Sequence, residues 1–176
     1  IEPRSLLIGA MVSIWALRLG WFLSTRVRAA GSDSRFDVMK HRFAWFLMTW
    51  TLQGLWILIT SGAALAAMSR PGQASIGPTV LLGTTLWVVG FAIEVAADTQ
   101  KRRFRSKVED HDRFITTGLW AYSRHPNYFG EIVLWVGVAV AAMPALSSWG
   151  YATLVSPFFV WALLTRISGI PLLETA

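Results

Sequence analysis

Five stretches of mainly apolar residues divide the chain, and polar or basic segments separate most of them. Three stretches, at residues 5–23, 43–68 and 78–97, have the length of about 20 residues that an α-helix needs to cross the hydrocarbon core of a bilayer. Two more, at residues 128–146 and 149–167, approach this length, and the short SSWG segment between them predicts an antiparallel hairpin. Because no barrel-like alternation occurs, the pattern predicts an all-α, polytopic transmembrane helical bundle of about five spans with short connections.

The composition agrees with a membrane protein. Of the 176 residues, 54% are hydrophobic and only 15% are charged, and the mean hydropathy is +0.48. A soluble domain of this length would expose too much apolar surface, so we expect an integral membrane protein. The chain has no cysteine, which excludes disulfides, thiol catalysis and cysteine-ligated metals. We expect no metal site.

The distribution of Lys and Arg predicts the orientation of the chain in the membrane. One side would carry the loops after the first and third stretches and the end of the fifth, with these basic residues: Arg26, Arg28, Arg35, Lys40, Arg42, Lys101, Arg102, Arg103, Arg105, Lys107, Arg113, Arg124 and Arg166. The opposite side would carry only Arg4 and Arg70. The basic loops and the C-terminus are therefore expected on the cytoplasmic or equivalent side. The net charge of +6 also favours anionic lipid headgroups or a phosphate-bearing ligand, and no nucleic-acid motif is present.

We expect one membrane domain over residues 1–176, because no internal repeat or second domain is recognisable. The chain begins at Ile1 rather than at Met and ends with PLLETA, and we expect it to be a fragment that lacks both termini. The first stretch contains Arg18 and no small-residue cleavage site, so it is not expected to be a signal peptide.

Two charged residues, Arg18 and Glu94, lie inside apolar stretches. A charge at membrane depth costs about 2.5 to 3.5 kcal/mol on insertion scales, so each residue needs a partner or water. Glu94 and Asp98 are four residues apart and share one helical face, which should point at protein or an aqueous cavity. For Arg18, the alternative is a side chain that extends to the basic side of the membrane.

The polar segment DTQKRRFR follows the third stretch directly. At helical spacing, Asp98, Arg102 and Arg105 form one stripe. Such a stripe could pair internally, bind lipid headgroups or bind phosphates through the guanidinium fork. It could also be a solvated basic flank of a membrane span.

A second polar cluster, GLWAYSRHPNYFGE, precedes the fourth stretch. Pro126 interrupts a helix and permits a new one to start, with Asn127 near its N-terminus and Glu131 one turn later. The segment predicts a polar lining at a membrane-facing helix start, suited to a charged ligand, and its candidate residues are Tyr122, Arg124, His125, Asn127 and Glu131. His125 alone could be a loop histidine or an axial ligand of a metal macrocycle, and the aromatic residues could be interfacial anchors.

The motifs EVAADTQKRRFR and GLWAYSRHPNYFGEIVLWVG, together with ALRLGW and LLTRISGIPLLE, resemble the steroid 5-alpha-reductase-like membrane family. The resemblance is greatest to its bacterial and algal-type branch, once catalogued as a domain of unknown function. It runs from ALRLGW to the C-terminus. The segment YSRHPNY is more distantly similar to isoprenylcysteine carboxyl methyltransferases, and sterol reductases share the architecture.

The resemblance implies a helical bundle that takes NADPH from the cytoplasmic side and a lipid-like substrate from the bilayer. It implies hydride transfer to an enone or a related double bond, with Asn127 and Glu131 next to the nicotinamide as catalytic residues. The residues that it implies for the rest of the cofactor are Asp98, Arg102, Arg105, Arg113, Tyr122, Arg124 and His125.

Two alternatives to the reductase remain open. The first is a methyltransferase that uses S-adenosylmethionine on a lipidic acceptor; its cationic cofactor would favour an acidic and aromatic lining. The second is a non-catalytic subunit of a large membrane complex that contacts lipids, pigments or other membrane subunits. The ten Trp and ten Phe residues offer ample surface for such contacts. Characterised steroid reductases also take catalytic Glu and Tyr residues partly from helices that precede the matched region.

Overall fold

The computed structural model describes residues 2–31, 41–70, 76–106 and 113–167. These ranges contain five helices that are long and apolar enough to cross a membrane, and they contain no strand. The predicted all-α transmembrane bundle is therefore confirmed, and the chain is an integral membrane protein. Arg35, Lys40 and Lys107 of the predicted basic loops lie outside the described residues.

Four regular helices form the main part of the bundle: α1 (Pro3–Ala30), α2 (Phe43–Met68), α3 (Pro78–Arg105) and α4 (Pro126–Ala142). Helices α1, α3 and α4 each have a proline in the first turn, where its missing N–H removes no helical hydrogen bond. Helix α2 has the bounds that the sequence predicts. Helix α3 is longer than predicted, because the polar segment after residue 97 consists largely of good helix formers and continues the apolar part.

The fifth span, Ser148–Ile167, differs in detail from the regular helix predicted over residues 149–167. It consists of a 3-10 helix (Ser148–Val155), a short α-helix, α5 (Ser156–Ala162), and a π-helical turn (Leu163–Ile167). Pro157 explains the change at the start of α5, because it donates no backbone hydrogen bond and restricts the preceding residue. A second 3-10 turn, Met143–Ala145, links α4 to this span.

Helices α3 and α4 form the closest antiparallel pair in the described bundle. Glycines recur at an interval of seven residues on both helices: Gly83 and Gly90 on α3, and Gly130 and Gly137 on α4. A Cβ atom on Gly90 would lie 2.5 Å from the backbone nitrogen of Leu134 and 2.6 Å from the carbonyl oxygen of Gly130. Small residues permit such close contact between backbones in membranes. These glycines therefore fix the register of the two helices.

The apolar core lies toward one end of the bundle. It joins the first half of α1, the second half of α2, the first half of α3, the second half of α4 and part of the fifth span, with these residues: Ile8, Met11, Ala63, Ala64, Ala67, Trp87, Leu134, Trp135, Val138, Ala139, Ala141, Ala142, Leu146 and Val160. The other end, which we name the site end, contains the C-terminal ends of α1 and α3 and the N-terminal ends of α2 and α4. There, most residues of α2 between Phe43 and Leu58 are exposed, so the described residues leave this end more open.

Candidate ligand-binding site

Two carboxylates of α3 point into the bundle at the site end. Glu94 is only 4% exposed, and Asp98 lies one helical turn further along the same face. Gly90, Glu94 and Ala97 are buried on this face, because it packs against α4. We predicted that Glu94 and Asp98 point at protein or an aqueous cavity, and the structure shows that they face protein.

Arg18 of α1 binds both carboxylates. Its Nη1 atom donates a hydrogen bond to Oε1 of Glu94, and its Nη2 atom donates one to Oδ2 of Asp98. The side chain of Arg18 is 17% exposed, and its guanidinium also lies 5.7 Å from the ring centre of Phe22. The guanidinium is thus held inside the bundle. In the sequence, Arg18 stood out only as a charged residue inside an apolar stretch. The predicted site did not include Arg18.

A third carboxylate reaches the same place from α4. A Cβ atom on Gly130 would lie 2.7 Å from the backbone nitrogen of Glu94, so the adjacent Glu131 is close to α3. Glu131 interacts electrostatically with Glu94, Asp98 and Arg18. We name Arg18, Glu94, Asp98 and Glu131 the acidic cluster. It contains three carboxylates and one guanidinium.

Two acceptor atoms, one in the acidic cluster and one beside it, are buried and have no hydrogen-bond partner in the described structure. They are Oε2 of Glu94 and Oδ1 of Asn127. Asn127 lies one turn before Glu131 on α4, and the antiparallel register brings it to the turn of α3 that contains Asp98. A buried acceptor without a donor costs about 1 to 3 kcal/mol. The pair therefore suits a ligand that donates hydrogen bonds.

The segment before α4 folds onto the end of α3. Its 3-10 helix, Gly118–Ala121, is attached by the backbone N–H of Leu119, which donates to Oε1 of Gln100 at 3.0 Å, and by Nε1 of Trp120, which donates to the carbonyl oxygen of Ala97 at 3.0 Å. Gly118 has a φ of 64°, a conformation that glycine adopts without strain. These contacts give the chain a fixed path from α3 to the start of α4.

Helix α4 begins at Pro126, as the sequence predicts, and His125 is its N-cap residue. The His125 ring stacks on the ring of Tyr128 with centres 5.4 Å apart and an interplanar angle of 9°. The backbone N–H of His125 donates to Oγ of Ser123 at 3.2 Å. The aromatic pair lies at the start of the helix that carries Asn127 and Glu131.

The structure divides the predicted site residues into two groups. Asp98, Asn127 and Glu131 meet inside the bundle, and His125 is half-buried at its edge. The others are exposed at the site end: Arg102, Arg105, Arg113, Tyr122 and Arg124. Tyr122 is 91% exposed, so it lines no enclosed pocket among the described residues. The roles of both groups in binding a cofactor stay predictions.

We name the exposed arginines Arg102, Arg105, Arg113 and Arg124 the basic surface, and a lysine extends it. Lys101 of α3 interacts electrostatically with Arg105, Asp98 and Arg26, and its Nζ atom lies 5.1 Å from the ring centre of Trp120. Lys101 thus lies between the buried carboxylates and the exposed arginines. The site end therefore has an acidic interior and a basic exterior.

A groove of about 510 Å³ runs along a different face of α3. Its lining residues are Phe91, Ala92, Val95, Ala96, Thr99, Gln100 and Arg103. By helical spacing, this face is turned away from Glu94 and Asp98. The groove is therefore separate from the acidic cluster. Within the described residues, no group of three or more His, Cys, Asp or Glu side chains is arranged to hold a metal ion.

Comparison with known proteins identifies the family. The family model described as a protein of unknown function, DUF1295, matches residues 1–176. The chain belongs to this family. No solved structure matches the chain significantly.

The curated proteins similar to this chain include proteins named as steroid dehydrogenases and one named as a methyltransferase. The mouse protein named 3-oxo-5-alpha-steroid 4-dehydrogenase 1 is 37% identical over 90 residues, which are 51% of this chain and 33% of the mouse protein. The bovine protein of the same name is 35% identical over 75 residues, or 43% of this chain and 29% of the relative. A protein of Ustilaginoidea virens named probable O-methyltransferase ustE is 25% identical over 150 residues, or 74% of this chain and 51% of the relative.

The matched regions are short compared with these relatives. The chain spans about a third of the length of the steroid dehydrogenases and about half of the methyltransferase. The resemblance to the steroid 5-alpha-reductase-like family is nevertheless confirmed, as is the more distant similarity to methyltransferases.

Proposed function

We propose that the protein is a membrane reductase that transfers a hydride from NADPH to a carbon–carbon double bond of a lipid-like substrate of the steroid or isoprenoid type. The observation that carries this proposal is the meeting of Asp98, Asn127 and Glu131 from two helices, close to an exposed basic surface. The relatives named steroid dehydrogenases support the class of reaction. Lipid surrounds the bundle, so an apolar substrate can reach it from the bilayer.

The charge pattern of the site end fits the charges of a dinucleotide phosphate. Its phosphates are anionic and suit the guanidinium groups of Arg102, Arg105, Arg113 and Arg124, which bind phosphate oxygens in a bidentate manner. Asp98 accepts hydrogen bonds and suits hydroxyl groups of a ribose. Tyr122 and His125 offer ring surfaces beside the phosphates.

The buried acceptors fit the other end of the same cofactor. Oδ1 of Asn127 has no partner among the described residues and can accept a hydrogen bond from the carboxamide of a nicotinamide. When bound, NADPH would supply the hydride, and positive charge would develop on its nicotinamide ring. Glu131 and the unpaired oxygen of Glu94 would then stabilise the developing positive charge, because fixed charges act strongly in a site of low dielectric constant.

We propose that the site end faces the cytoplasm or an equivalent compartment, where NADPH is available. The distribution of Lys and Arg supports this orientation. The chain has no cysteine, so single cysteines at Tyr122 and at Arg70 can be labelled selectively in intact cells. An impermeant maleimide should label only position 70, and labelling of position 122 from outside would overturn the orientation.

The reaction can be tested with labelled cofactor. The protein in lipid nanodiscs would be incubated with NADPH that carries two deuterium atoms at C4, so that the transferred atom is labelled from either face, and with a panel of enone steroids and isoprenoids. We expect a product about three mass units heavier than the unlabelled substrate, since one deuteride from the cofactor and one solvent proton add across the double bond. Consumption of substrate without incorporation of deuterium would contradict hydride transfer from NADPH.

A methyltransferase is the second candidate, and a specific observation favours it. Arg18 bonds two of the three acidic side chains in the acidic cluster, and this acidic lining suits the sulfonium and ammonium groups of S-adenosylmethionine. The relative named probable O-methyltransferase also covers more of this chain than the steroid dehydrogenases do. The exposed arginines favour a ligand with phosphates instead. S-adenosylmethionine with a labelled methyl group, incubated with the same panel, tests the second candidate directly.

A further inference from the structure

Arg18 has both terminal nitrogen atoms engaged. One binds Glu94 and the other binds Asp98, so the planar guanidinium spans two carboxylates that lie one turn apart on α3. A lysine could not reproduce this geometry, because its ammonium is a single point of charge. Each terminal nitrogen is bonded to a carboxylate, so Arg18 can act on a ligand through these two carboxylate partners.

Apolar contacts also hold α1 in the bundle, apart from this ion pair. The apolar core contains Ile8, which is fully buried, and Met11, and the ring of Trp15 packs edge-on against Trp135 with centres 5.0 Å apart. These contacts precede Arg18 along α1. A buried ion pair is also weak support for stability, because removal of its charges from water offsets much of the attraction.

The charges around Arg18 indicate an electrostatic role for this residue. Glu131 approaches Glu94 and Asp98 from α4, so three carboxylates repel one another inside the bundle. Arg18 counters this repulsion at two of them. Without it, Glu94 and Asp98 would have neither a fixed orientation nor a buried cation bonded to them.

We propose that Arg18 is a positioning residue of the ligand site: its bridge between Glu94 and Asp98 fixes the carboxylate of Asp98 for the hydroxyl groups of the bound nucleotide and offsets the charge of the acidic cluster. This inference rests on the proposed function, in which Asp98 binds NADPH. It extends the site to α1, a helix that the sequence did not connect with it.

The test compares NADPH affinities of variants in lipid nanodiscs. Arg18→Gln should bind NADPH at least about tenfold more weakly than the unaltered protein, a factor that corresponds to about 1.4 kcal/mol. Arg18→Lys should restore only part of the affinity, because it keeps the charge but not the bridge. Arg28→Gln removes a charge from an exposed position of the same helix and should leave the affinity unchanged.

A double variant shows whether Arg18 acts through Asp98. If it does, Arg18→Gln should add little to the loss caused by Asp98→Asn, since interacting residues are not additive. Additive losses would overturn the inference, and so would full affinity in Arg18→Gln or Arg18→Lys. Circular dichroism checks whether each variant folds. If Arg18→Gln does not fold, the NADPH affinity of folded Arg18→Lys tests the inference in its place: a reduced affinity supports it, and an unchanged affinity overturns it.

NADPH binding by the unaltered protein distinguishes a failure of the proposed function from a failure of the inference about Arg18. If it does not bind NADPH, the proposed function fails, and this inference is overturned with it. If it binds NADPH and Arg18→Gln binds equally well, only the inference about Arg18 fails.

Discussion

Ionisable residues inside a membrane are expensive, and the described part of this chain places four of them together. Arg18, Glu94, Asp98 and Glu131 come from three helices and lie at one end of the bundle. Pairing with an opposite charge reduces the free-energy cost of burying each charged group. The cluster contains three acidic side chains but only one guanidinium, so not every acidic group has a cation of its own within it. Such residues commonly mark functional sites in membrane proteins. The acceptors on Glu94 and Asn127, which have no partner in the part of the chain that the structure describes, agree with this interpretation.

Glu131 allows a direct prediction at the residue scale. Glu131→Gln keeps the size of the side chain and removes its charge. If the carboxylate stabilises the cation that forms as the hydride leaves, kcat should fall about a hundredfold, which is typical for the loss of one electrostatic contact in a transition state. The affinity for NADPH should change little, because the reduced nicotinamide is neutral. An unchanged kcat in steady-state assays would contradict this role.

At the scale of elements, the site depends on how closely α3 and α4 approach. Gly90 and Gly130 bring the two backbones into contact, and this contact places Glu131 beside Glu94. The docked segment Gly118–Ala121 then fixes the start of α4 through Gln100 and the carbonyl oxygen of Ala97. Close packing between the helices is thus the basis of the acidic cluster.

A single methyl group tests this packing. Gly90→Ala would place a Cβ atom 2.5 Å from backbone nitrogen of Leu134, so the helices must separate, and we expect a loss of about 1 to 3 kcal/mol. Gly54→Ala is the matched control, since no atom lies within 4 Å of its Cβ. The control should be neutral or slightly stabilising, because alanine favours helix over glycine. Unfolding in SDS titrations measures both, and equal midpoints would contradict the close contact.

For the whole molecule, hydropathy predicted the bundle well. Apolar length defined five spans, α2 has the predicted bounds, and Pro126 marked the start of α4. The spacing of Glu94 and Asp98 also predicted that both carboxylates face the interior. These features follow from local sequence, because lipid requires helices and proline restricts their ends.

The parts that sequence did not predict depend on contacts between helices. The carboxylate partners of Arg18 depend on the packing of α1 against α3. The sequence did not identify them, because 76 residues separate Arg18 from Glu94. The seven-residue spacing of glycines was visible, but it does not reveal which helix pairs with which. The irregular fifth span likewise reflects Pro157 in a segment whose composition alone suggests a regular helix.

The central claim is that the acidic cluster and the basic surface form one nucleotide site. The most direct measurement is a titration of the purified protein in nanodiscs with NADPH and with S-adenosylmethionine, repeated on Asn127→Ala and Arg105→Ala. We predict saturable NADPH binding that both variants weaken, Asn127→Ala at the buried end and Arg105→Ala at the exposed end, with no binding of S-adenosylmethionine. Saturable binding of S-adenosylmethionine alone, or no binding of either cofactor, would contradict the claim.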